Sequence, residues 1–186
     1  MTKYWEQAGK ENTKDTCALA VERAAQLGIK HIVVASNTGY TARFLLGKVA
    51  GLAVVTHHVG FREPGDDEMS PQERDYLADQ GAKVVTASHL FGGIDRAAST
   101  KFGGVYPGGL IAQTLRTFGQ GTKVCLEIAS MAVDAGAIPW GEDVVAIGGT
   151  GRGADTAMVI RPAHAKDFFN TQVLEIICKP RNWEVR

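Results

Sequence analysis

Three short apolar runs, His31-Ile32-Val33-Val34, Leu52-Ala53-Val54-Val55-Thr56 and Lys83-Val84-Val85-Thr86, are separated by segments with helical spacing. This alternation restricts the fold more than any other feature. Runs of this length, rich in β-branched residues, read as strands, and strands linked through helices are linked by crossovers, which makes the sheet parallel. Their near-continuous apolar character calls for cover on both faces. The helical segments carry their own punctuation. Residues 13–27 place Cys17, Ala20, Val21, Ala24 and Leu27 on one face, with Asn12 or Thr13 as cap and Gly28 as stop. Ser70-Pro71-Gln72-Glu73 reads as an N-cap, a proline at the first helical position and the acid of a capping box, opening a helix that Gly81 stops. Arg43–Ala50 also has helical spacing, 107–118 and 122–135 read as helices, and a short one is expected near Ile94–Ala98.

One connection breaks the alternation. Asp143–Gly149 and Thr156–Arg161 are both strand-like, yet only about six residues separate them, and a parallel crossover needs about a dozen or more. These two strands are therefore expected to be antiparallel neighbours, and Val173–Ile177 could add an edge strand. The expectation is a single α/β domain over 1–186, built as three layers, α/β/α. Its sheet would be mostly parallel and five-stranded, with the fifth strand antiparallel. Residues 1–12 would be a surface N-terminal segment and 163–186 a C-terminal extension.

Charge narrows the partners. The 186 residues carry 20 Lys and Arg against 20 Asp and Glu, so no basic excess points to nucleic acid or to an anionic membrane. No apolar run reaches the length of a membrane span, and the N-terminus does not read as a signal peptide. Cys17, Cys125 and Cys178 are odd in number and far apart, which argues for reduced thiols, a cytoplasmic protein and no zinc site built from cysteines.

In an open α/β sheet, ligands bind beyond the carboxyl ends of the parallel strands. Here those ends are polar and glycine-rich. The first strand runs into Ser36-Asn37-Thr38-Gly39-Tyr40-Thr41, the second into His57-His58, the third into Ser88 and His89, and the fourth into Gly149-Thr150-Gly151-Arg152-Gly153. A helix beginning after Ser36–Thr41 would offer unpaired N–H groups and partial positive charge to an anion. Gly39 would let a ligand approach the backbone, and Ser36, Thr38 and Thr41 would add hydroxyl donors. An ordinary N-cap and tight turn would use the same residues. The second loop reads either as a further anion contact with Arg152 as its charge, or as a hairpin turn with a solvated arginine. It is not a dinucleotide fingerprint, because a strand follows it, and no Gly-Lys-Ser/Thr phosphate loop occurs.

Other residues carry two readings each. His57 and His58 with Asp66, Asp67 and Glu68 suggest a metal, but adjacent histidines on a strand point to opposite faces, and a solvated acidic loop is the simpler account. No metal site is expected. Glu127, among Cys125, Leu126 and Ile128, would be an acid–base residue if buried in the site. It could equally lie on the exposed stripe of its helix or bond a neighbouring backbone. His89 reads as a polar loop residue, Trp140 as packing, and no nucleophile elbow is present.

Ser36-Asn37-Thr38-Gly39-Tyr40-Thr41-Ala42 resembles the phosphate loop of the pyruvate kinase C-terminal domain, a Ser/Thr-x-Ser/Thr-Gly-x-Ser/Thr-Ala pattern after the first strand. Gly149–Pro162 is similar to that domain's other effector loop and final strand, in the same order along the chain. The resemblance spans roughly Asp15 to Pro162. It implies the strand order 3-2-1-4-5, counted from His31–Val34. The kinase barrel and its catalytic residues have no counterpart, so phosphoryl transfer to ADP is not implied. Cys125–Ile128, Gly136–Pro139 and Gly153–His164 look like segments of stand-alone proteins of this fold, mainly archaeal and bacterial, which are associated with flavin mononucleotide (FMN). That resemblance implies FMN as cofactor of a flavoprotein and His58 as the histidine facing the ligand. A flat ring would suit Tyr40, Phe61 or Tyr106. Function is expected to be binding of a small phosphorylated ligand, with redox chemistry, a non-enzymatic phosphometabolite sensor and a metal-assisted hydrolase as the readings left open. A homo-oligomer is compatible with all of them.

Overall fold

A computed structural model describes residues 2–183. The strands are β1 (Lys3–Gln7), β2 (His31–Ala35), β3 (Gly51–Val55), β4 (Lys83–Val85), β5 (Val144–Gly148), β6 (Thr156–Arg161) and β7 (Gln172–Asn182). The helices are α1 (Thr13–Leu27), α2 (Pro71–Asp79), α3 (Gly93–Phe102), α4 (Pro107–Arg116) and α5 (Gln120–Asp134). The strands form one sheet in the order β1-β7-β6-β5-β2-β3-β4. β2 pairs in parallel with β3 and β5, and β3 with β4.

The short connection acts as its length requires. β5 and β6 pair antiparallel, with Val144 opposite Ile160 and Gly148 opposite Thr156. The order β4-β3-β2-β5-β6 is the one the resemblance implied, but the sheet does not stop there. β7 pairs antiparallel with β6, and β1 pairs in parallel with β7, Lys3 facing Cys178. The sheet is therefore mixed and seven-stranded, in place of the five-stranded, mostly parallel sheet expected. Lys3–Gln7 lacks an apolar face because it is an edge strand, exposed at four of its five residues, so its pattern resembles surface chain.

Alternation along the strands divides the core. Ile32, Val34, Leu52 and Val54 pack with Cys17, Ala20 and Ala24 of α1 and Leu77 of α2. Val33, Ala53, Val55 and Ala146 pack on the other face against Cys125, Ala129 and Ala132 of α5. Helices thus cover both faces of the sheet. The three cysteines are free and buried, and no helix among the described residues is long and apolar enough to cross a membrane.

Three local expectations change. The chain after Thr41 forms only a three-residue 3-10 turn, Ala42–Phe44, and Gly47 at φ 69° follows, so no helix runs to Ala50. Ser70 caps α2 by accepting from the Glu73 N–H, but the Glu73 carboxylate pairs with Arg43 at 2.5 Å, so only half of a capping box exists. Trp140 is exposed rather than packed.

Candidate functional site

The carboxyl ends of β2, β3 and β5 open into one cavity of about 900 Å³. It is lined by Ser36, Asn37, Thr38, Tyr40 and Thr41 after β2, by His57 after β3, and by Gly149, Gly151, Arg152 and Gly153 after β5. The structure thus brings two loops 108 or more residues apart in the chain onto a single concave surface.

The loop after β2 leaves donors free. The Ser36 N–H continues the ladder to the Val55 carbonyl, and the Ala42 N–H donates to Ser36 Oγ. Between them, the backbone N–H groups of Asn37, Thr38, Gly39, Tyr40 and Thr41 donate to no acceptor among the described residues. Consecutive free N–H groups in a turn form a concavity that accepts anions, and they do so without a long helix behind them. The donors available to an anion here are therefore those of the loop's own backbone, with no long helix behind them.

Gly39 plays a different part from the one expected. Its φ is 82°, and a Cβ there would run into the Glu73 carboxylate. The glycine accommodates the Arg43–Glu73 pair beneath the loop and does not line the cavity. His58 and Thr150 also lie outside the lining. The Thr150 N–H instead donates to Asp155 Oδ2 at 3.0 Å, and the same carboxylate takes the Gly9 N–H and, through Oδ1, the Thr156 hydroxyl. Burial pushes the Asp155 carboxyl up, against the pull of these hydrogen bonds. Asp155 ties the chain before α1 to the loop after β5. Gly153 permits that approach, since a Cβ there would meet Thr13 Oγ1 and the Lys10 backbone. Lys10 is thereby placed in the cavity wall, 4.2 Å over the Tyr40 ring.

His57, not His58, turns into the cavity, and its tautomer follows from its partners. Its backbone N–H donates to Asn37 Oδ1 at 2.9 Å, so Asn37 Nδ2 is the group 3.1 Å from His57 Nε2 and donates to it. The ring proton then sits on Nδ1 and is donated to Glu68 at 2.5 Å. Both ring nitrogens serve protein partners, and Phe61 stacks on the ring at 3.7 Å. Asn37 is held by this arrangement at the start of the free N–H run. Tyr40 and Phe61 line the cavity, whereas Tyr106 does not.

Of the wall contributed by the helices, the sequence singled out only Glu127. Arg96 of α3, Arg116 of α4 and Gln120, Lys123 and Glu127 of α5 line it. Lys123 is 7% exposed and Glu127 4%, and the two form an ion pair. Glu127 also accepts the Phe91 N–H at 3.1 Å, so it is both buried and bonded to a backbone. Burial pushes the Lys123 ammonium down, opposed by Glu127. Burial also lowers His89, to about 4, which keeps that ring neutral near neutral pH. Six cations and four carboxylates line the cavity of a chain whose overall charge is balanced. Neither Lys10 nor Arg152 has a carboxylate partner among the described residues. The described residues contain no group of three His, Cys, Asp or Glu side chains arranged to hold a metal ion.

Compared with known protein families, residues 14–160 match the one described as pyruvate kinase, alpha/beta domain. Similar solved structures include a pyruvate kinase from Cryptosporidium parvum, at 14% identity over 88% of this chain and 22% of that chain, with a TM-score of 0.39. Another is Cryptosporidium parvum pyruvate kinase in complex with ADP, at 14% identity over 88% and 23% of the two chains, with a TM-score of 0.42. This chain spans less than a quarter of the length of those kinases.

Proposed function

The chain belongs to the pyruvate kinase alpha/beta domain family over residues 14–160, and on that premise we propose that its cavity binds a phosphate-bearing small molecule. The observation that carries the reading is the run of five free backbone N–H groups, Asn37 to Thr41, on a loop whose neighbours Lys10 and Arg152 lack carboxylate partners among the described residues. The backbone would hold the phosphate oxygens, the Thr38 hydroxyl would add a donor, and the two cations would balance the charge.

FMN is the ligand we favour, through the resemblance to stand-alone members of this fold. The residues fit it at both ends. The loop provides for one phosphate, Tyr40 and Phe61 provide aromatic faces in the same cavity, and about 900 Å³ lies within the usual range for cofactor sites. A bound flavin would supply redox chemistry; this chain's own part is to hold the phosphate, orient the ring and keep His57 and Asn37 in place beside it.

Freshly purified protein is expected to show flavin absorption and, by native mass spectrometry, a noncovalent adduct of FMN mass. A colourless protein carrying a phosphometabolite would keep the phosphate reading and remove the flavin. A protein without any adduct, and without affinity for FMN or a sugar phosphate on titration, would overturn the proposal.

A further inference from the structure

The loop after β2 provides for the phosphate of the ligand, and the flat ring of that ligand still lacks a polar partner. We propose that His89 is that partner: its imidazole hydrogen-bonds the edge of the ring while the backbone of Asn37–Thr41 holds the phosphate. The inference rests on the reading of the cavity as a flavin site and assigns to His89 the selection of the ring.

The other enclosed titratable groups of the cavity are taken by the protein itself. His57 bonds Asn37 and Glu68, Lys123 bonds Glu127, and Arg116 bonds Gln120. His89 is the one titratable group of the wall, among the described residues, whose side chain is neither exposed nor bonded to another group. Neither of its ring nitrogens is sealed in the protein. Its backbone, by contrast, is fixed. The His89 carbonyl accepts the Gly92 and Gly93 N–H groups at 3.1 and 3.2 Å, and the Phe91 N–H donates to Glu127. This turn into α3 sets the imidazole 5.2 Å from the His57 ring and 5.3 Å from the Phe61 ring. Asn37, where the free N–H run begins, is 3.1 Å from His57. The order along the wall is therefore cradle, then His57 with Phe61, then His89, and the edge of a ring lying against Phe61 is within reach of His89.

The protonation state suits the task. Burial keeps the imidazole neutral, lowering its pKa to about 4; His57, Lys123 and His58 also push it down, and Glu127 pulls it up. A neutral imidazole carries one N–H donor and one bare nitrogen that accepts, which match the carbonyl and N–H groups along the edge of a flavin ring. The cationic form would offer donors only. Lys10 and Arg152 bring charge to the phosphate, whereas His89 brings none and discriminates by hydrogen bonding.

The test compares FMN with ribitol phosphate, its counterpart without the ring, by calorimetric titration. His89→Leu should weaken FMN binding about 3- to 10-fold, the range for one neutral hydrogen bond, and leave ribitol phosphate unchanged. His89→Gln, which restores a donor and an acceptor, should recover part of the loss. In wild-type protein with isotope-labelled histidine, the ring-nitrogen NMR signals of His89 are identified by their loss in His89→Gln. They should move on addition of FMN and stay in place on addition of ribitol phosphate. The proposal is overturned if a folded His89→Leu protein binds FMN at wild-type affinity, if it loses both ligands alike, or if the His89 signals do not move with FMN. Failure of the flavin reading looks different: the wild-type protein would bind FMN no more tightly than ribitol phosphate.

Discussion

Thr38→Asp is expected to abolish binding of a phosphate-bearing ligand while the protein remains folded. Thr38 is exposed on the cavity-lining loop, so a residue of similar size costs little packing. Its new carboxylate would stand among the free N–H groups where the ligand's anion is placed. Two like charges about 4 Å apart near a protein surface repel by about 4 kcal/mol, which corresponds to roughly a thousandfold in affinity. Thr38→Ala removes one donor and should cost about 1–2 kcal/mol, since the backbone does most of the holding. The gap between the two variants separates an anion site from a simple turn. Calorimetry of the ligand that copurifies, with circular dichroism as the folding control, reads both. Wild-type affinity in a folded Thr38→Asp protein would show that the loop is only a turn.

The second large effect is on stability. Lys123→Met should destabilise the protein by about 3–5 kcal/mol, because it leaves Glu127 charged and buried with the Phe91 N–H as its partner. For a chain of this size that is a fall in melting temperature of roughly 10 °C. Lys123→Met/Glu127→Gln should recover most of the loss, since the amide oxygen still accepts from Phe91 and no charge remains. Thermal unfolding of wild type, the single variants and the double variant forms the cycle. A loss below about 1 kcal/mol in Lys123→Met would mean that the pair is hydrated and its burial incomplete.

The parts of the fold visible in the sequence were those set by neighbouring residues. β2, β3 and β4 followed from their β-branched runs, α2 from Ser70 and Pro71, and the β5–β6 pairing from the length of one connection. β1 was hidden because its partner lies at the other end of the chain and its residues carry no apolar alternation. The same holds for the site. Ser36–Thr41 and Gly149–Gly153 could be found because glycine and hydroxyl residues follow strands. Lys10, Arg96 and Arg116 come from separate elements, with no local signal that they share a cavity. Lys123 and Glu127 sit four residues apart on α5, and that spacing was readable. Of the two plain readings of Glu127, an exposed stripe or a bond to a neighbouring backbone, the second holds, through the Phe91 N–H, because from Gly121 to Val133 all but Val124 are buried. Gly39 shows the converse. The need for glycine was evident, but the neighbour it makes room for, Glu73, lies on α2 and not in the ligand.

The central claim is that a phosphate sits against the backbone of Asn37–Thr41. A crystal structure of the protein with its copurifying ligand, or with FMN added, tests it most directly by locating the phosphorus. Phosphate oxygens are expected within hydrogen-bond distance of the N–H groups of this loop, with Lys10 and Arg152 closing over them. A ligand whose phosphate lies elsewhere, with those N–H groups bonded only to water, would contradict it.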